Sequence, residues 1–173
     1  MTKNKQSIQK YAMYFGTYMG IFWVLKFILF PLGFKIPILF FLFFVLTIAV
    51  PVLGYYYAKT FRDKICGGKV TFTRSWLFTT FIYIFAGLLT SVAHYIYFQF
   101  IDHGFVIDSY IEMLQTLSQI DSSGFESMAK DMDDLIAIVS NLTPIDITIQ
   151  LLSQNIIYGS LLAVPTALIV RRK

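Results

Sequence analysis

Two ionisable side chains, Lys26 and His94, lie inside long apolar runs. If those runs cross a bilayer, both groups are costly there and stand as candidates for function. Asp102 and His103 follow His94 closely, and Asp146 precedes the last apolar run. The five together make a candidate polar cluster at one membrane face, able in principle to relay protons or hold a cation. Each has a less demanding reading. Lys26 lies one turn from the end of its run, so its stem can snorkel to the headgroups, and a neutral His94 can hydrogen-bond a neighbour. Two histidines nine residues apart with scattered aspartates do not have the spacing of a metal site.

A second candidate is the row Ser153, Gln154 and Asn155, polar residues in an otherwise apolar stretch. They can line a path for a solute or hydrogen-bond between helices. The Gly67-Gly68-Lys69 sequence lacks the strand, loop and helix pattern of a phosphate-binding loop. There is no HExxH, no useful Ser/His/Asp order and no second cysteine beside Cys66. No catalytic residue and no cofactor are therefore expected, and a disulfide within the chain is excluded.

The elements that must position these residues follow from composition and charge. Hydrophobic residues make up 57% of the chain and charged ones 14%, against roughly 25% charged in globular domains. A soluble domain of 173 residues could not bury so much apolar surface. Four runs are long enough to span: 11–30, 36–57, 76–98 and 151–170. Twenty helical residues cover roughly 30 Å, the thickness of a bilayer core. Pro31 and Gly33 are expected to end the first span and Pro51 to kink the second. The expected fold is all-α, a single membrane domain built as a four-helix bundle.

Charge gives the direction of crossing. Eleven of the fourteen Lys and Arg residues fall in residues 1–10, in the loop 58–75 and in the tail 171–173. Nine of the ten acidic residues lie between spans three and four. The positive-inside rule puts both termini in the cytoplasm, with the protein in the cell inner membrane. Basic residues confined to short membrane-proximal segments also make nucleic acid an improbable partner. The partner expected first is the lipid bilayer.

Between spans three and four, residues 105–143 read as an extracytoplasmic hairpin of two amphipathic helices. Ile107, Tyr110, Ile111, Leu114 and Leu117 repeat at helical spacing, as do Phe125, Met128, Met132, Leu135, Ile136 and Val139. Asp121-Ser122-Ser123-Gly124 separates them, with Asp108 or Ser109 and Ser122 or Ser123 as expected caps. The apolar faces of 107–139 can meet each other, the outer leaflet or a protein partner. Small residues at Gly16/Gly20, Gly87/Ser91 and Gly159/Ala163 allow close helix packing, within the bundle or in an oligomer.

Phe61-Arg62-Asp63-Lys64, Gly67-Gly68, Val70-Thr71-Phe72, Tyr95-Ile96-Tyr97-Phe98 and Phe100-Ile101-Asp102 together resemble a family of uncharacterised Bacteroidota membrane proteins. That resemblance implies four spans, a helical segment before the last and a basic tail, and it implies no activity. Arg74 stands where the family pattern has Gln, and His103 where it has Pro. The second difference removes the residue that would favour a tight turn after span three. The function expected is a non-enzymatic envelope protein, or alternatively a small transporter or channel subunit.

Overall fold

Because lipid offers no hydrogen bonds, an apolar stretch crossing it must satisfy its own backbone, and a helix does so. In a computed structural model, which describes residues 2–120 and 134–172, the chain is helical nearly throughout. The long helices are α1 (Thr2–Gly33), α2 (Ile38–Thr60) and α3 (Phe72–Phe100). They are followed by α4 (Phe105–Ile120), the helical residues 134–140 (α5) and α6 (Pro144–Val170). Four stretches are long and apolar enough to cross a membrane: Ile8–Gly33, Ile38–Ile65, Phe72–Phe100 and Pro144–Val170. The protein is an all-α, multi-pass membrane protein.

Every spanning helix runs past the apolar stretch that announces it. The basic N-terminal residues from Thr2 are the first turns of α1, and Pro31 lies within that helix rather than ending it. Proline near a helix end costs little, since one main-chain bond is lost and few turns remain to be disturbed. Gly33 ends α1, so close to the Phe40 ring that a Cβ there would lie 2.8 Å from it. Rings of Phe30, Phe34, Phe40 and Phe43 close this turn edge to face or tilted.

The chain falls into two compact units. The first, Met1–Ala93 with Gln150–Lys173, is the bundle. Glycines set its helix approaches: a Cβ at Gly16 would lie 2.7 Å from Phe85 Cβ, and one at Gly20 would lie 2.9 Å from Leu89. The small residues of α1 thus serve packing against α3. At the centre, the fully buried Tyr83 of α3 stacks on Trp23 of α1. Its hydroxyl lies over Gly54 of α2 and its ring over Gly159 of α6. A Cβ at either glycine would come within 2.6 Å of a Tyr83 atom. One tyrosine therefore touches all three other spans.

The second unit, His94–Ile149, contains α4 and α5. Among the described side chains of α4, Val106 and Leu114 are buried, while Asp108 and Glu112 are exposed. Of the residues whose spacing predicts an apolar face, Leu114 is buried, Ile107 and Ile111 are half-buried and Tyr110 is exposed. The expected cap is displaced: α4 begins at Phe105, and Asp102 rather than Asp108 or Ser109 receives its first N–H groups. The link 121–124 and most of the second amphipathic face, including Phe125, Met128 and Met132, lie outside the described residues.

Candidate functional site

The residues of the expected polar cluster have separate local duties. Asp102 is buried, and its carboxylate accepts the Val106 N–H at 3.3 Å and the Tyr97 hydroxyl. Asp146 accepts the N–H of Thr143 at 3.0 Å and also its hydroxyl, while Thr143 Oγ1 accepts the Asp146 N–H at 3.4 Å. That reciprocal pair is a capping box at the start of α6. Both aspartates thus serve helix N-termini, which carry unsatisfied N–H groups and partial positive charge.

His94 is buried with its ring edge-on to Phe98, the centroids 6.5 Å apart. His103 is exposed, with φ +48°, and with Gly104 at φ +87° it turns the chain after α3. A proline could not adopt that backbone, since its ring holds φ near −65°. The turn exists here in a left-handed form that the histidine permits. No group of three or more His, Cys, Asp or Glu able to hold a metal occurs among the described residues.

Lys26, in the bundle, does not snorkel toward the end of its helix. Its ammonium donates to Thr47 Oγ1 of α2 at 3.1 Å and lies 4.8 Å from the centroid of the Phe43 ring. Seven residues separate Lys26 from the end of α1, and nine separate Thr47 from the start of α2. At 1.5 Å per residue the contact is about 10–13 Å down from the turn joining them. Thr47 donates its own proton to the Phe43 carbonyl at 2.8 Å, so its oxygen is free to accept from lysine. Pro51, four residues on, lacks the N–H that would have bonded the Thr47 carbonyl. Lysine and proline therefore bear on the same residue of α2.

Of the polar row on α6, Ser153 and Gln154 are exposed on the bundle surface and Asn155 is half-buried. Asn155 approaches Gly87 of α3, where a Cβ would lie 3.9 Å from its own. The three residues point in different directions, as successive residues on a helix must.

A further constellation lies where α2 gives way to α3. The last turn of α2 widens into a π-helical turn, Phe61–Ile65, closed by the Cys66 N–H to the Phe61 carbonyl at 3.1 Å. Such widenings recur at functional sites. Arg62 is 5% exposed, and its guanidinium grips Asp63 with two donors at 2.6 and 3.0 Å. A third donor reaches the carbonyl of Val170, the last residue of α6, at 3.1 Å. Val70 and Arg172 exchange main-chain hydrogen bonds of 3.0 Å beside it. Phe61 stacks on Phe78 with centroids 3.9 Å apart, and Arg74 lies over the Phe61 ring at 5.7 Å.

Gly67 and Gly68, at φ +67° and +85°, let the chain turn back toward this knot. Burial pushes the neighbouring Cys66 thiol up from its ordinary pKa, and the positive charge of Arg74 pulls the other way. The adjacency of Arg62 and Asp63 is visible in the sequence. That Arg62 reaches Val170 is not, because the partner is 108 residues away.

Comparison with known proteins adds a family and no role. A family described as a protein of unknown function, DUF4199, matches residues 14–172. No curated protein matches the chain. No solved structure matches it.

Proposed function

The chain belongs to the DUF4199 family, and we propose that it is a non-enzymatic accessory protein of the bacterial cell envelope, in which a membrane bundle holds an outer helical segment for a protein partner. One observation carries this reading. Residues 94–149 form a compact unit of their own, and α4 within it has an exposed face that mixes Tyr110 and Met113 with Glu112. Exposed aromatic and methionine side chains are enriched at protein contact sites, with charged residues such as Glu112 left to the rim. The segregation of Lys and Arg supports the inner membrane, with both termini cytoplasmic and the 94–149 unit outside.

The bundle supports an anchoring role more than a conducting one. Its largest buried side chains include Met19, Trp23, Phe61, Phe78, Ile82 and Tyr83, with Trp23 stacked on Tyr83 and Phe61 on Phe78. Photo-crosslinkers placed at Tyr110 and Met113 in living cells test the proposal. A discrete envelope protein should be captured from these positions and not from Ile48 of α2. No capture, together with an intact envelope after removal of residues 105–143, overturns it.

A second reading, a small transporter or channel subunit, draws on polar atoms inside the bundle. Trp23 Nε1, Ser75 Oγ, Thr80 Oγ1 and the Tyr83 hydroxyl are buried with no hydrogen-bond partner among the described residues. Proteoliposome flux of ions and small solutes, lost in both His94→Ala and Asn155→Ala, would establish it. A silent panel removes it.

A further inference from the structure

A charged side chain within a membrane has few means of stabilisation, and in structures it pairs with an opposite charge or faces water. The ammonium of Lys26 carries three N–H donors. One goes to Thr47 Oγ1 at 3.1 Å, and the Phe43 ring offers its face at 4.8 Å. No carboxylate lies within ion-pair distance among the described residues, where the ion pair formed is between Arg62 and Asp63. Thr47 is exposed and Lys26 half-buried, so the two remaining donors are reachable from outside the bundle between α1 and α2. The residues around them on the surface, Leu25, Ile28, Phe44 and Ile48, are exposed and apolar.

The depth of this group narrows what can complete it. At about 10–13 Å below the helix ends, it lies beneath the level of lipid phosphates, which sit outside the hydrocarbon. A second copy of the chain cannot supply the counter-charge either. The spanning stretches 8–33 and 72–100 contain no Asp or Glu. The stretch 38–65 holds Asp63, already paired with Arg62 at the far end of α2, and 144–170 holds Asp146, engaged with Thr143 within the first turn of α6. What remains is an acid carried into the membrane by another protein.

We propose that the α1–α2 groove at Lys26 is a docking site for a transmembrane helix of a different protein that carries an Asp or Glu at matching depth. The carboxylate would take the two remaining ammonium donors, and the flanking apolar residues would pack along the partner span. The apposition is strong because lipid offers neither group a competing hydrogen bond. The inference rests on the accessory reading only in requiring a partner, and it uses a different surface from the 94–149 unit.

The test uses the full-length protein in nanodiscs of zwitterionic lipid and a synthetic single-span Leu/Ala helix bearing one Asp. The Asp is set about 12 Å below the outer end of that helix. Association is read by energy transfer between dyes on the two components. The Asp helix is expected to bind roughly tenfold tighter than the same helix with Leu in its place. Lys26→Met should remove that advantage, and Lys26→Arg should keep it.

Equal binding of the Asp and Leu helices, or an advantage that survives Lys26→Met, overturns the proposal. Two further outcomes would also overturn it by naming another occupant. One is an anionic phospholipid that displaces the Asp helix and is retained by the wild-type protein but not by Lys26→Met. The other is Lys26-dependent self-association. Failure here leaves the crosslinking result at Tyr110 and Met113 untouched, so the two readings fail separately.

Discussion

Arg62 ends on two carboxylate oxygens and a main-chain carbonyl, whereas Lys26 ends on one hydroxyl and the face of a phenyl ring. Both are cations set into the same bundle, and both are removed in part from water. Their difference follows from where the backbone has acceptors to give. Arg62 stands at the C-terminus of α6, where the last carbonyls have no helical donor and carry partial negative charge. A planar guanidinium can take a carboxylate with one edge and such a carbonyl with another. Lys26 faces the middle of α2, where main-chain carbonyls are already engaged except at the proline gap. It finds a side-chain oxygen instead. One cation is a finished structural part, and the other is open on one side.

The sharpest way to break this comparison is to remove the finished cation. Arg62→Met should cost on the order of 2–3 kcal/mol, because it strands the buried end of α6 as well as deleting the charge. Thermal unfolding of the detergent-solubilised protein measures it, and an unchanged midpoint would show the knot to be ornamental. Arg62→Lys should recover less than half of that loss, since an ammonium cannot hold Asp63 and Val170 with one rigid fork.

Tyr83→Phe probes a polar group with no hydrogen-bond partner among the described residues. Deleting a hydroxyl that is buried and unbonded among the described residues should raise stability by about 1 kcal/mol. A loss of that size would instead reveal a partner the hydroxyl depends on. Lys26→Met, in the absence of any partner helix, should change stability by no more than about 0.5 kcal/mol in either direction. A drop as large as that of Arg62→Met would erase the distinction between the two cations. The smallest effect is at Cys66. With its thiol pKa raised by burial, less thiolate is present at a given pH, so alkylation should be slower than for free cysteine and rise only at higher pH. Arg74→Ala removes the charge that opposes this shift and should slow the reaction further.

Much of the architecture could be read before any coordinates. The runs 11–30, 76–98 and 151–170 fall inside spanning helices, and 36–57 does so from Ile38 on, its first two residues belonging to the turn before α2. Their ends were less legible, because hydropathy marks lipid depth while a helix continues wherever residues tolerate it, as the basic turns before Tyr11 do in α1. The polar residues near the membrane face were legible as a set but not in role. Asp102 and Asp146 announce themselves as acids. That each caps a helix depends on where α4 and α6 begin, and both begin earlier than their apolar patterns.

Lys26 was misplaced for a related reason. One turn from the last apolar residue became two turns from the end of a helix that continues through Pro31. Tyr83 could not be singled out at all. A helix that is apolar on every side has no face in its sequence, so nothing marks which residue turns inward.

The amino-acid order by itself determined that this chain enters a membrane, how many times it crosses and which residues it must carry across. Those outcomes follow from solvent: lipid forces each apolar run to satisfy its own backbone, whatever its neighbours do. Only the tertiary structure decided which faces meet. Core and lipid are equally apolar, so the contrast that marks the inside of a soluble protein is missing here. Glycine notches and the reach of Tyr83, Arg62 and Lys26 settle the packing in its place.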